Sequence, residues 1–156
     1  MLQVVFAGVR KTGEIDLEAV EMLVRGSMHR AGAELLGRLI SEPSPQAGSS
    51  PCVCGHAARY HDTRSRQMLT ALGPVEFERG YYVCSHCRQG HSPRDQELGV
   101  EGVACSPGVR RMMAVVGSDA SFEQSREQLQ LLAGLEVTAK AVERNAEAIG
   151  ADIEAR

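Results

Sequence analysis

Four cysteines fall in two close pairs, Cys52 and Cys54 in "CVCGHAARYH" and Cys84 and Cys87 in "VCSHC". One residue separates the first pair, two separate the second, and 29 lie between the pairs. Four thiolates are what a structural zinc ion takes. Soft sulfur neutralises its double charge, and a closed tetrahedral shell leaves no position for a substrate. The gap in the first pair is tighter than the common spacing of two to four, so free thiols on a small hairpin are the alternative. A redox role for "CSHC" would need a thioredoxin-like βαβ setting, which the flanking sequence lacks. His56, His61, His86 and His91 surround the same stretch. Any of them could replace a sulfur, and whether His56 or His91 does so stays open, but since four sulfurs complete the shell they are expected beside the site rather than in it. Cys105 stands outside the pairs and reads as an ordinary buried thiol.

Such ligands must be held by strands. "HAARYHDT", "RQMLTAL" and "VEFERGYYV" read as three short strands, with Gly73 and Pro74 as the hairpin turn. In the last of them Val75, Phe77, Tyr81 and Val83 share one face and Glu76, Glu78 and Tyr82 the other, so one side can cover a small core. The segment 52–100 is thereby predicted to be a zinc ribbon, whose small sheet draws much of its folding energy from the metal.

Upstream, 1–41 is a helical segment. Leu17, Val20, Val24, Ala31, Leu35 and Leu39 recur near a helical period over 16–40, behind a capping Asp16. Gly26, Gly32 and Gly37 each cost about 1 kcal/mol relative to alanine, so packing must hold this helix together. "EPSPQAGSSP" at 42–51 is a linker by composition. Downstream, 101–156 turns helical. Ser106 caps a helix opened by Pro107, and Ser121 and Gln124 form a capping box ahead of Phe122, Leu129 and Leu132, expected to face a core. After Gly134 and "LEV", Thr138 caps the last helix. The fold class is therefore α+β: a long N-terminal helix, a small antiparallel zinc-ribbon module, and a C-terminal helical bundle resembling a helix-turn-helix.

In a helix-turn-helix the second helix enters the major groove by its early residues, which here are Thr138, Lys140 and Arg144. An ordinary helical hairpin has the same pattern, and Glu136, Glu143 and Glu147 would repel phosphate. On the ribbon, Arg59, Arg64, Arg66 and Arg79 interleave with Tyr60, Tyr81 and Tyr82, which suits phosphate and base contacts as well as a plain solvated face. The net charge of -3 excludes a broadly basic nucleic-acid binder, so any double-stranded DNA contact must be local. Residues 51–100 hold six arginines against five carboxylates, whereas 101–156 hold six basic residues against nine acidic ones. No apolar run is long enough for a membrane span and no secretory leader is legible, so the expectation is a cytoplasmic chain.

The blocks "CVCGHAARYH", "LTALGPVEFERGYYVCSHCRQGHSPRDQELG", "SPGVRRMMA", "SFEQSREQLQLLAGLEVTAKAVER" and "AEAIG", in this order, resemble the N-terminal region of the ISKra-four family of bacterial insertion-sequence transposases. The resemblance implies zinc and helix-turn-helix modules that recognise the terminal inverted repeats of the element. It also implies a later ribonuclease-H-like domain using Asp, Asp and Glu with magnesium. The sequence ends at Arg156, before such a domain would begin, so this chain is not expected to be an enzyme. The remaining expectation is self-association through the helix at 16–40, and an interaction module without DNA binding is the alternative function.

Overall fold

The computed structural model describes residues 15–42 and 48–154. The opening 14 residues and half of the expected linker, 43–47, lie outside that range. The first element, α1 (Leu17–Ile40), starts where the Asp16 carboxylate accepts the Ala19 N–H at 3.1 Å. It ends where Ser41 leaves helical geometry, its hydroxyl donating to the Gly37 carbonyl at 2.7 Å.

A four-stranded antiparallel sheet follows in simple order: β1 (Ser49–Pro51), β2 (Ala57–Thr70), β3 (Gly73–Cys84) and β4 (Gly90–His91). Two of the three expected strands are one. "HAARYHDT" and "RQMLTAL" belong to the single long β2, in which a bulge leaves His61 unpaired between Tyr60 and Asp62. The end of the expected linker becomes β1. The turn falls at Ala71 and Leu72, two residues earlier than expected, because Thr70 pairs with Gly73 and its hydroxyl both accepts the Leu72 N–H and donates to the Gly73 carbonyl.

β3 does not bury one face throughout. Val75 and Phe77 are buried, but so are Tyr82 and Cys84, which alternation puts on the opposite face, while Tyr81 and Val83 are only half-buried. The turn end packs Met68 and Phe77 against Val100, with Ile40, Leu98 and Val103 around them. The far end packs Ala58, Tyr82 and Cys84 with Cys52 on the other face. One hairpin thus serves two small cores.

α1 lies against the hairpin through its smallest side chains rather than its largest. Ala33 and Gly37 are buried, whereas Leu17, Val24, Leu35 and Leu39 are 49 to 69% exposed. A β-carbon on Gly37 would stand 2.6 Å from the Glu76 carbonyl oxygen, so the glycine permits the close approach. Past the helix, Glu42 N–H donates to the Glu78 carbonyl at 3.0 Å and the Glu42 carboxylate accepts the Gly80 N–H at 2.6 Å. These bonds cover an edge of β3 that would otherwise be open to pairing.

A five-residue helix, α2 (Pro93–Glu97), brings Asp95 under the sheet. The chain then touches β2 at Leu69, whose N–H and carbonyl bond Ala104 and Ser106 at 2.9 and 2.8 Å. Three helices follow. α3 (Pro107–Asp119) is capped by Ser106; α4 (Phe122–Gln128) carries the full Ser121–Gln124 capping box; α5 (Ala139–Glu154) starts at Thr138, whose hydroxyl accepts the Ala141 N–H at 3.1 Å. α4 runs on into a π-helical turn, Leu129–Ala133, closed by Gly134 at φ 67°. The wider turn brings Leu129 into the core of Val109, Met113, Leu135 and Val142. Leu132, expected inside, is 71% exposed. Its carbonyl and that of Leu131 accept from the Arg25 guanidinium, which ties α1 to the bundle. Among the described residues no helix is long and apolar enough to cross a membrane.

Candidate metal centre and basic faces

The two cysteine pairs meet at the open end of the hairpin, one ahead of β2 and the other at the end of β3. Cys52 and Cys54 sit in the turn ahead of β2, closed by Cys52 N–H to the His56 carbonyl and Gly55 N–H to the Cys52 carbonyl, both at 2.9 Å. Cys84 is the last residue of β3, paired across the ladder with Ala58, and Cys87 lies in the following turn. Arg88, at φ 60°, bends that turn back so that Cys84 N–H reaches the Gln89 carbonyl.

The four sulfurs converge, all within 4.8 Å of one another. Cys52 and Cys87 are 3.5 Å apart, Cys52 and Cys54 3.5 Å, and Cys54 and Cys84 3.6 Å. A tetrahedral site with Zn–S bonds of about 2.3 Å requires sulfurs about 3.8 Å apart, whereas a disulfide requires about 2.05 Å. The observed spacing fits the metal and not the disulfide, and all four thiols are free. Backbone geometry also favours thiolate at Cys84, whereas at Cys87 the Gln89 N–H lowers the thiol but burial and the Cys52 and Cys84 sulfurs outweigh it and raise it. The Cys87 N–H is directed at the Cys84 sulfur and, against burial that would raise it and with help from the His86 N–H, holds the Cys84 thiol down to about 6. The four cysteines can therefore hold a metal ion, and their chemistry is compatible with structural zinc.

Two of the four histidines of this segment flank the centre. The His56 and His86 rings stack at 3.8 Å between centroids, against the outer side of Cys54, with His56 Nδ1 3.6 Å from its sulfur. His91 points elsewhere, to the Ser50 hydroxyl at 3.0 Å and the Tyr82 ring. His61, in the bulge, lies 3.4 Å from Asp62. Cys105 is half-buried beside the bundle core, and burial pushes its thiol up.

The arginines of the hairpin are in three different situations. Arg59 is exposed beside the cysteine end, across from Val83. Arg64 lies 3.5 Å over the Tyr81 ring and donates to Asp62 at 3.0 Å, leaving it at the surface but partly neutralised. Arg66 is turned inward, its side chain 15% exposed, 2.5 Å from the Asp95 carboxylate and bonded to the Val100 and Val103 carbonyls. Arg79 shares Asp95 at 2.8 Å from the other side. Arg66 and Arg79 therefore fasten the 93–103 segment to the sheet. Of the expected helix contacts, Thr138, Lys140 and Arg144 are all exposed.

Two arginines escaped the sequence reading. Arg110 and Arg111 of α3 line, with Arg144 and Asp152, a cleft of about 840 Å³ between α3 and α5. The adjacent "RR" after a proline-opened helix was the available signal, but only the crossing of α3 and α5 brings it beside Arg144. Comparison with known protein families finds no model that matches this chain, and none of the curated proteins is significantly similar to it.

Proposed function

We propose that the chain is the DNA-binding N-terminal region of a bacterial insertion-sequence transposase, stabilised by a zinc ribbon and recognising the terminal inverted repeats of its element. The ordered blocks that resemble that family motivate the reading. The observation that carries it is the outward side of α5: Lys140 and Arg144 stand one helical turn apart on exposed positions, with Arg111 of α3 across the adjoining cleft. α4, the turn through Gly134 and α5 then act as a helix-turn-helix, with α3 as the third helix of its core. Three cations on one side give phosphate a local landing point on a chain of net charge -3, while Glu136 and Glu147 limit how far that surface extends. Zinc has a structural role here, joining the two turns that flank the ribbon hairpin.

Electrophoretic mobility shift with a duplex carrying the element ends tests the reading. Retardation that weakens steeply with salt is the expected result, and no binding at low salt overturns it. The competing function, an interaction module without DNA affinity, is favoured by the exposed apolar side of α1. It predicts oligomers that leave every duplex unshifted.

A further inference from the structure

We propose that α1 is the dimer interface of this protein, pairing with α1 of a second copy as an antiparallel two-stranded coil. Leu17, Glu21, Val24, Met28, Ala31, Leu35 and Arg38 follow one another at alternating steps of four and three residues. That is the heptad spacing which keeps one seam facing a partner helix. Every one of these residues is exposed, and the seam lies opposite Ala33 and Gly37, which are buried against the hairpin. The chain's own packing therefore leaves the seam free. Leu17, Val24, Met28 and Leu35 are 66, 49, 68 and 59% exposed. Four large apolar side chains in one line are a contiguous patch of the kind that marks an interaction surface, unlike scattered single residues.

Charge selects both the occupant and its direction. The seam contains two charged residues, Glu21 near one end and Arg38 near the other. In a parallel pair each position meets itself, placing glutamate on glutamate and arginine on arginine. In an antiparallel pair turned about the point between His29 and Arg30, Glu21 faces Arg38, Val24 faces Leu35 and Met28 faces Ala31, each layer occurring twice. Apolar layers thus fill the middle and opposite charges close both ends. This register overlaps all but the first residues of the 24-residue helix, a contact of roughly 33 Å. The surface is complementary to itself, as a two-fold interface requires. The inference does not depend on DNA binding.

Sedimentation equilibrium of the full zinc-loaded chain, from micromolar to hundreds of micromolar, tests it. A monomer–dimer equilibrium is expected, abolished by Met28→Asp. Glu21→Arg and Arg38→Glu should each raise the dimer Kd on the order of tenfold, and the two together should restore it. Glu21→Gln separates the directions, since it weakens an antiparallel pair and strengthens a parallel one. Circular dichroism checks that each variant keeps its helices. A monomeric wild type, or a dimer indifferent to Met28→Asp, overturns the interface. Failure of the double swap to restore association, or tightening by Glu21→Gln, overturns the antiparallel register.

Discussion

Replacing Cys84 with serine isolates the metal from the rest of the fold. Cys84 is fully buried, stands across the ladder from Ala58, and lies 3.6 Å from the Cys54 sulfur. A structural four-ligand zinc site contributes roughly 10–16 kcal/mol of binding at neutral pH, so one ligand of four accounts for roughly 3–4 kcal/mol. That weakens zinc binding on the order of 100- to 1,000-fold. At this end of the hairpin the buried apolar set among the described residues is Cys52, Ala58, Tyr82 and Cys84, two of them ligands, so little would remain to order the turns without the metal. The helices and the Met68–Phe77–Val100 core do not share those residues and should persist. The assay is zinc content by mass spectrometry after a chelator challenge that wild type survives, with circular dichroism alongside. Cys84→Ser should lose its zinc and keep most of its helix signal; Cys105→Ser should keep both. A Cys84→Ser protein that retains one equivalent of zinc through the challenge refutes the four-sulfur assignment, as does a wild type that binds none.

Asp95→Ala strands Arg66 and Arg79 with no counter-charge under the sheet and should cost about 3–5 kcal/mol in urea unfolding, a loss below about 1 kcal/mol contradicting the buried network. Gly37→Val drives a side chain into the Glu76 carbonyl and should cost about 1–3 kcal/mol, where an unchanged midpoint would mean that α1 does not rest on β3. Lys140→Ala and Arg144→Ala should each lower the slope of log binding against log salt by about one, and an unchanged slope removes α5 from the DNA contact.

Local signals were legible in the sequence because they are carried by neighbouring residues. Asp16, Ser106, Ser121 with Gln124, and Thr138 all cap helices at their expected positions, and Gly134 closes the turn before α5. The cysteine pairs were legible for the same reason, since each occupies one tight turn. Long-range choices were not. Arg66 has the alternation and company of a surface arginine, and only Asp95, brought in by a five-residue helix, turns it inward. The apolar stripe of α1 looks the same whether it faces a core or a partner; the deciding residues are the glycines, which seemed only a cost to the helix until Gly37 was seen against the Glu76 carbonyl.

The extra residue in β2 governs how the candidate sites relate to one another. His61 opposes nothing on β3, so the cross-strand pairs on either side of it are out of step: Tyr60 meets Tyr82 and Asp62 meets Tyr81. Bulges of this kind bend the strand and sharpen its twist. The ladder thereby buries Met68, Val75 and Phe77 on one side near the turn, and Ala58, Tyr82 and Cys84 on the other side near the cysteines. Arg64 and Tyr81, stacked next to the bulge, lie at the surface between the two cores. β3 carries no extra residue and changes its buried face by alternation alone, whereas Met68 and Ala58 of β2, which unbroken alternation would put on one face, stand on opposite faces only because of the bulge and so meet Val75 and Cys84. With the two cores on opposite sides, a metal held by the four cysteines would order one end of the hairpin while the other end anchors α1 and, through Leu69, the helical bundle. Deleting His61 should consequently disturb the metal end and the bundle end together, even though neither contains it.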